Sequence, residues 1–436
     1  MIPKAIAVIA IFIIGEEILF LYFLPEIMRF AINNSKFKLM IFLKPFKSTY
    51  LLLVLLIIFT LSVAAQKKKN ELKIGAERTE IYLPLIKGKN VAIVANQTSV
   101  IKNAEKNQLV HTVDSLLSLN INIKKIFSPE HGFRGIADAG ELIDDGIDSK
   151  TGLSIISLYG NNKKPTASQL EDVDIVLFDI QDVGVRFYTY ISTLHLVLEA
   201  CGALGIPVII LDRPNPNAYY IDGPVLEIEH KSFVGMHKVP VVYGMTIGEY
   251  GQMINGEKWL DNQVQCNITI IPNKNYKHKM RYSLPIKPSP NLPNDQSINL
   301  YPSLCFFEGT NVSVGRGTEM QFQIYGSPYL NQTEFYFIPK SNEGSKSPLH
   351  IDAVCYGENL SSIDSIDKLN LDWLLKAYKE NTSETPFFTI FFTKLAGTEK
   401  LQQQIEQSFT EKEIRITWKD DLRDFKKIRE KYLIYE

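Results

Sequence analysis

Between residues 70 and 225 the apolar and polar positions repeat one arrangement. Four short apolar runs, Val91 to Ala95, Ile123 to Phe127, Ile175 to Phe178 and Val208 to Leu211, each stop at a polar cluster. The clusters are Asn96-Gln97-Thr98, Ser128-Pro129-Glu130-His131-Gly132, Asp179-Ile180-Gln181-Asp182 and Asp212-Arg213-Pro214-Asn215. Uninterrupted apolar runs of this length predict strands buried on both faces. Leu109, Val110, Val113, Leu116 and Leu117 recur at helical spacing after the first run, and Ile191, Leu194, Val197, Leu198 and Cys201 after the third, this helix ending at Gly205. Strand alternating with helix predicts an α/β domain, a Rossmann-like and mostly parallel sheet covered on both faces, with a fifth strand at Ile155 to Tyr159. In such sheets ligands bind outside the carboxyl ends of the strands. The polar clusters are therefore expected to converge on one site.

After about residue 240 the pattern changes. The stretch Pro285-Ile286-Lys287-Pro288-Ser289-Pro290-Asn291-Leu292-Pro293-Asn294 is incompatible with helix and predicts an ordered loop. Short alternating runs and two helical stretches, around Leu369 to Tyr378 and Glu399 to Ser408, predict a smaller α+β domain. The expected organisation is a leader over 1–65, a Rossmann-like catalytic domain over 66–235 and an α+β domain over 236–436 that completes a cleft.

Residues 40–65 read as a secretory signal: Lys44 and Lys47, then an apolar stretch from Tyr50 to Val63, then the small residues Val63-Ala64-Ala65. A second apolar stretch, Ala5 to Phe23, is interrupted by Glu16 and Glu17, whose charges are costly inside a bilayer. Either translation starts at Met40 or the chain carries an extra N-terminal membrane segment. The expected location is exported and periplasmic, with membrane attachment if the leader is retained. Without the leader 371 residues remain, with a net charge near −4, which does not suit a nucleic-acid partner. Four widely spaced cysteines form no C-x-x-C pair, and buried free thiols are expected.

The turn after the first strand lacks the glycines that a pyrophosphate requires, and no Walker-type loop occurs, so no nucleotide partner is expected. There is no G-x-S-x-G elbow. The seven histidines show no H-E-x-x-H spacing, so neither a metal nor another cofactor is expected. Carboxylates remain. Glu130, between Pro129 and the His131-Gly132 turn, would be held firmly at the sheet edge, either as a general acid beside Asp179 and Asp182 or merely as a cap on its turn. Arg134, if close, would point toward a substrate anion. In D-V-G-V-R-F-Y-T-Y, Asp182 to Tyr190, aromatic faces would stack on a sugar and Arg186 would hold a carboxylate, although Phe187 reads as core. Arg213 either pairs with Asp212 or serves the site, and His131 is more readily a structural histidine than a catalyst.

The stretches N-Q-T, F-S-P-E-H-G-F-R-G, A-G-E (Ala139 to Glu141), T-G-L, S-L-Y-G, F-D-I-Q-D-V-G-V-R-F-Y-T-Y-I-S-T, L-D-R-P-N-P, G-M-T-I-G-E, P-S-P-N-L-P, E-G-T-N and G-R-G-T together resemble the exo-β-N-acetylmuramidase family of bacterial cell-wall glycosidases, from about Gly75 to Tyr435. Two departures are Val242-Tyr243-Gly244, where a histidine commonly precedes the glycine, and Ser154 in place of a usual proline. The resemblance implies a Rossmann-like domain, a smaller C-terminal domain and a cleft between them. It implies release of N-acetylmuramic acid from non-reducing ends of peptidoglycan-derived glycans or muropeptides, with Glu130 catalytic. The substrate-binding set expected on this basis is Asn96, Gln97, His131, Arg134, Gln181, Asp182, Arg186, Tyr188, Arg213, Asn215, Glu308, Asn311 and Arg316. One of Arg134, Arg186, Arg213 and Arg316 would pair with the lactyl carboxylate of muramic acid, and Asp182, Glu308, Glu319 or the substrate's own acetamido group would fill the second catalytic role. The loop at 285–294 would close one end of the pocket. An N-acetylglucosaminidase and a non-catalytic muropeptide-binding protein are the competing readings.

Overall fold

The computed structural model describes residues 9–14, 17–22, 71–103, 108–134 and 145–436. The secretory-signal reading at 40–65 and the A-G-E motif lie outside the described residues. Within the first unit of the chain, Ile9–Ile14 and Glu17–Tyr22 pair as antiparallel strands, Ile9 opposite Tyr22. Among the described residues no helix is long and apolar enough to cross a membrane.

Residues 71–436 form one compact unit. Its centre is a seven-stranded sheet built from β1 (Val91–Ala95), β2 (Ile123–Ser128), β3 (Gly146–Ile147), β4 (Ser154–Ser157), β5 (Ile175–Asp179), β6 (Val208–Leu211) and β7 (Ile268–Ile271). Across the sheet the order is β7-β6-β5-β1-β2-β4-β3, all parallel except the two-residue edge strand β3. The chain first builds outward on one side of β1 and then returns to build on the other, so the strand order reverses between β1 and β5. Ala95 lies opposite Asp179 and Val94 opposite Phe127, which brings these carboxyl ends level at one edge.

Period-two alternation divides the strand residues between two cores. Val94, Phe127, Phe178 and Ile210 pack with helix α1 (Tyr190–Leu204) on one face, while Ile93, Ile126, Leu177 and Ile209 pack with Ile86, Val113 and Leu116 on the other. The predicted second helix is thus present with its whole apolar stripe buried. The first helix is shorter than its periodicity suggested, because Leu109 and Val110 belong to a strand, Gln108–His111, paired with Val100–Asn103. All four cysteines are free and buried.

The sheet layer does not end at 235. Strand β7 pairs in parallel with β6, and Gly251, in helix α2 (Ile247–Gly256), packs closely on Ile210 of β6, so the sheet layer draws on residues well past 235. β7 is a short edge strand with alternating exposure, which a search for continuous apolar runs does not find. Further on, a three-stranded antiparallel sheet (Ile324–Ser327, Tyr336–Phe337, Cys355–Asn359) and helices including Asp372–Glu380, Lys400–Glu406 and Lys419–Glu430 give the α+β texture expected.

Candidate active site

A cavity of about 330 Å³ opens beside the carboxyl ends of β2 and β4, walled on its other side by residues from beyond 285. Glu130 lines it. Its turn follows β2 through Pro129, and His131 and Gly132 both take positive φ, 71° and 77°. A left-handed histidine is uncommon, and two such residues in succession reverse the chain sharply. This aims Glu130 and His131 into the cavity instead of along the strand. Thr189, which begins α1, makes no side-chain cap on its own helix; its hydroxyl donates to Glu130 Oε2 at 2.9 Å. Tyr159, two residues past β4, hydrogen-bonds the same carboxyl group. Burial, together with Glu130, pushes the Tyr159 phenol above its ordinary value, so it stays an O–H donor at neutral pH. Glu130 is half-buried with its orientation set by two hydroxyls from two neighbouring elements.

The opposite wall comes from the later segment. Glu308 stands in the 3-10 turn Cys305–Gly309, and its Oε1 accepts from Arg316 Nε at 2.5 Å. Arg316 is held between Gly315 and Gly317 (φ 77° and 79°); a Cβ on Gly317 would lie 2.5 Å from the Lys340 carbonyl, so this G-R-G spacing is a packing requirement. Burial opposes the Arg316 charge, but Glu308 beside it holds its pKa above the ordinary arginine value. Arg316 lines the cavity, its Nε is on Glu308, and its terminal nitrogens make no hydrogen bond to the described residues. The loop at 285–294 does form part of the wall, through Ser289, Asn291 and Leu292. It is docked on the sheet edge by two donors to the Pro288 carbonyl, Tyr188 Oη at 2.8 Å and Gln97 Nε2 at 3.1 Å.

Of the residues expected from sequence, Glu130, His131, Tyr188, Glu308 and Arg316 therefore meet at the cavity. The others do not line it, and each has a structural task. Arg134 forks onto Asp148 (2.8 and 2.7 Å), holding that carboxyl down to about 2, and does not point at the site. Arg186 is fully buried, its guanidinium donating to the carbonyls of Pro224, Val239, Leu395 and Ala396 at 2.7–2.8 Å; burial pulls it down to about 9. Arg213 pairs with Asp179 at 2.6 Å, not with Asp212, which instead accepts from Tyr435 and the Gly248 amide.

The remaining polar residues stitch loops. Asn96 caps the turn after β1 through Thr98 and takes its place beside Tyr190, and Gln181 donates to the carbonyls of Asp182 and Pro214. Asn215 donates to Met245, and Asn311 contacts Asn381. Asp182 accepts from Tyr243 and the Gly184 amide, with burial pushing it up to about 6. Glu319 is also outside the cavity, which leaves Glu130 and Glu308 as its carboxylates among the described residues. Sequence reasoning missed Tyr159, Thr189, Phe233, Asn291 and Tyr301, all in the lining, and placed Phe187 in the core although it also borders the cavity. Tyr159 and Thr189 stood inside quoted motifs, S-L-Y-G and R-F-Y-T-Y, without a signal that separated them from their neighbours.

Two family models match most of this unit, described as exo-β-N-acetylmuramidase NamZ, N-terminal (residues 91–296) and C-terminal (residues 299–435). The peptidoglycan β-N-acetylmuramidase NamZ of Bacillus subtilis (strain 168) is 38% identical over 376 residues, covering 81% of this chain and 89% of that protein. Two crystal structures of DUF1343 family proteins from Bacteroides fragilis NCTC 9343 are similar as well. One has a TM-score of 0.77 at 44% identity and the other 0.71 at 28%, each covering 84% of this chain and 99% of its own. With the sheet, the P-E-H-G turn and the E-G-T-N and G-R-G-T wall arranged about one cavity, these matches establish that the chain belongs to the exo-β-N-acetylmuramidase NamZ family.

Proposed function

We propose that this chain is an exo-acting glycoside hydrolase that releases N-acetylmuramic acid from the non-reducing ends of peptidoglycan fragments, with Glu130 as general acid. The observation that carries the reading is a single cavity that sets a hydroxyl-oriented carboxyl group, Glu130, across from a guanidinium, Arg316, with terminal nitrogens left for a ligand. Glu130 would transfer its proton to the glycosidic oxygen as the bond to the anomeric carbon breaks, leaving the departing sugar a neutral alcohol. Arg316 would receive the lactyl carboxylate that distinguishes muramic acid from glucosamine, in charge-assisted hydrogen bonds. Arg134, Arg186 and Arg213 are engaged elsewhere, which supports giving this task to Arg316. Glu308 is the one further carboxylate in the lining among the described residues, and the second catalytic role would fall to it or to the substrate's acetamido group. The name of the Bacillus subtilis relative supports the same substrate. Export, which the stretch at 40–65 suggests, would bring the protein to that substrate.

The test is hydrolysis of chromogenic N-acetylmuramic acid and N-acetylglucosamine glycosides side by side. Preferential cleavage of the muramic acid compound is expected. Cleavage of the glucosamine compound alone would reassign the substrate, and binding without turnover of either would make the protein a muropeptide-binding module.

A further inference from the structure

The chain leaving β4 carries Tyr159, turns at Gly160 (φ 66°) and then presents two lysines in succession that end among different neighbours. Lys164 pairs with Glu199. Lys163 is half-buried and makes no ion pair or hydrogen bond among the described residues; its Nζ stands 4.7 Å from the centre of the Phe233 ring. Phe233 and Val234 form the tip of a tight turn closed by reciprocal backbone hydrogen bonds between Ser232 and Gly235, and Ser192 Oγ donates to the Phe233 carbonyl at 2.7 Å. Both tip residues line the cavity. The Phe233 ring is 6.4 Å from that of Tyr159, which hydrogen-bonds Glu130. A continuous row of contacts, Glu130 to Tyr159 to Phe233 to Lys163, thus leads from the proposed acid to an unpaired cation. Exposure rises along the cavity in the same sense: Arg316 stands over Phe322, 1% exposed, whereas Phe233 is half-buried and Phe391 is 36% exposed. The Arg316 end is the closed one, and the Phe233 end is the mouth.

We propose that Lys163 anchors the leaving part of the glycan, its ammonium pairing with the lactyl carboxylate of the next muramic acid along the chain. This rests on the muramidase reading given above. Glu130 protonates the oxygen that joins the terminal sugar to the rest, so the terminal sugar occupies the closed end and the leaving chain runs outward past Tyr159 and Phe233. Peptidoglycan alternates its two sugars. The first leaving sugar is therefore N-acetylglucosamine, which is neutral and suits the two aromatic rings, and the muramic acid after it brings a negative charge to the end of the row. The occupant is a glycan stripped of peptide: the terminal muramic acid must offer a free lactyl carboxylate to Arg316, and its successor on such a glycan offers the same group. The aromatic face beside the ammonium supports the charge without using an N–H, which leaves all three donors for the carboxylate.

The decisive comparison uses two tetrasaccharides of alternating N-acetylmuramic acid and N-acetylglucosamine that differ only at the inner muramic acid, whose lactyl group ends in a carboxylate in one and a carboxamide in the other. The terminal muramic acid keeps its carboxylate in both, and its release is followed by chromatography. The wild-type protein should favour the inner carboxylate by about two- to fivefold in kcat/KM at low salt, the size of a partly screened ion pair, and added salt should shrink that preference. Lys163→Met should bring the ratio to about one, and Lys163→Glu should invert it. A wild-type ratio near one, or a ratio that survives in Lys163→Met, overturns the assignment; so does a variant that slows on both compounds equally, since its ratio then stands. Wild-type protein that releases muramic acid from neither compound would instead bring down the proposed function on which this inference rests.

Discussion

Two neighbouring stretches of the same sheet edge behave oppositely. At the ends of β1 and β5, where the strand order reverses and ligands of open α/β sheets usually sit, Asn96, Gln181, Asp179 and Arg213 are buried and largely bonded to one another's loops. Beside them, at the ends of β2 and β4, Glu130 and Tyr159 face an open cavity. Both stretches present charged and polar residues in similar motifs. The difference lies in how they are covered: the first is closed by its own turns and by the loop at 285–294 docked on Gln97, while over the second the later segment leaves a cavity. A polar cluster at a strand end therefore shows which edge is used, and the covering chain decides which part of that edge binds.

Substitutions on the two sides should separate cleanly. Glu130→Gln is expected to have the largest effect, lowering kcat about 10²–10⁴-fold with an unchanged melting temperature, as loss of a positioned proton donor does; near-wild-type turnover would remove Glu130 from the chemistry. Arg213→Met should do the reverse. It leaves the Asp179 carboxylate buried without its cation, a lesion of about 3–5 kcal/mol in denaturant unfolding. If stability is unaltered while KM rises, the sealed stretch contacts substrate after all.

A third test is the dependence of stability on pH. Asp182 and Asp212 are pushed up by burial to about 6 and about 7, so the folded state holds protons that the unfolded chain has already released. Their contribution is complete below about pH 4 and is lost as pH rises through 6 to 7. Asp182→Asn should flatten part of that decline in chemical unfolding measured from pH 4 to 8, and an unchanged slope would contradict the assignment. The smallest effect is expected from Arg316→Lys, which keeps the charge but not the fork: KM for the muramic acid glycoside should rise by about tenfold with kcat nearly constant. A lowered kcat at constant KM would place Arg316 in the chemical step instead.

The strands were legible because each buried strand is a continuous apolar run, and α1 because its stripe has a clear period. Strand β7 was not, being a four-residue edge with a single fully buried side chain. For the site, the proline and glycine of the P-E-H-G turn marked Glu130 as firmly held, and its expected catalytic role came from the family resemblance. The arginines were harder to read, since a guanidinium takes its role from whatever its long side chain reaches. Arg186 stands in an aromatic, glycine-bearing motif, and nothing near it foretells that its partners lie at Leu395 and Ala396, some two hundred residues on. Asn291 was visible only as one residue of a proline-rich stretch. Its anchor is Gly344, which no local pattern connects to it.

Arg186 also has a mechanical consequence. One cation ties the strand-side carbonyls of Pro224 and Val239 to the end of the helix Ile390–Ala396, whose Leu395 borders the cavity. The helix end that borders the cavity is thereby bolted to the protein's interior by a buried charge, so a change at Arg186, which never reaches a ligand, is felt at the wall through Leu395.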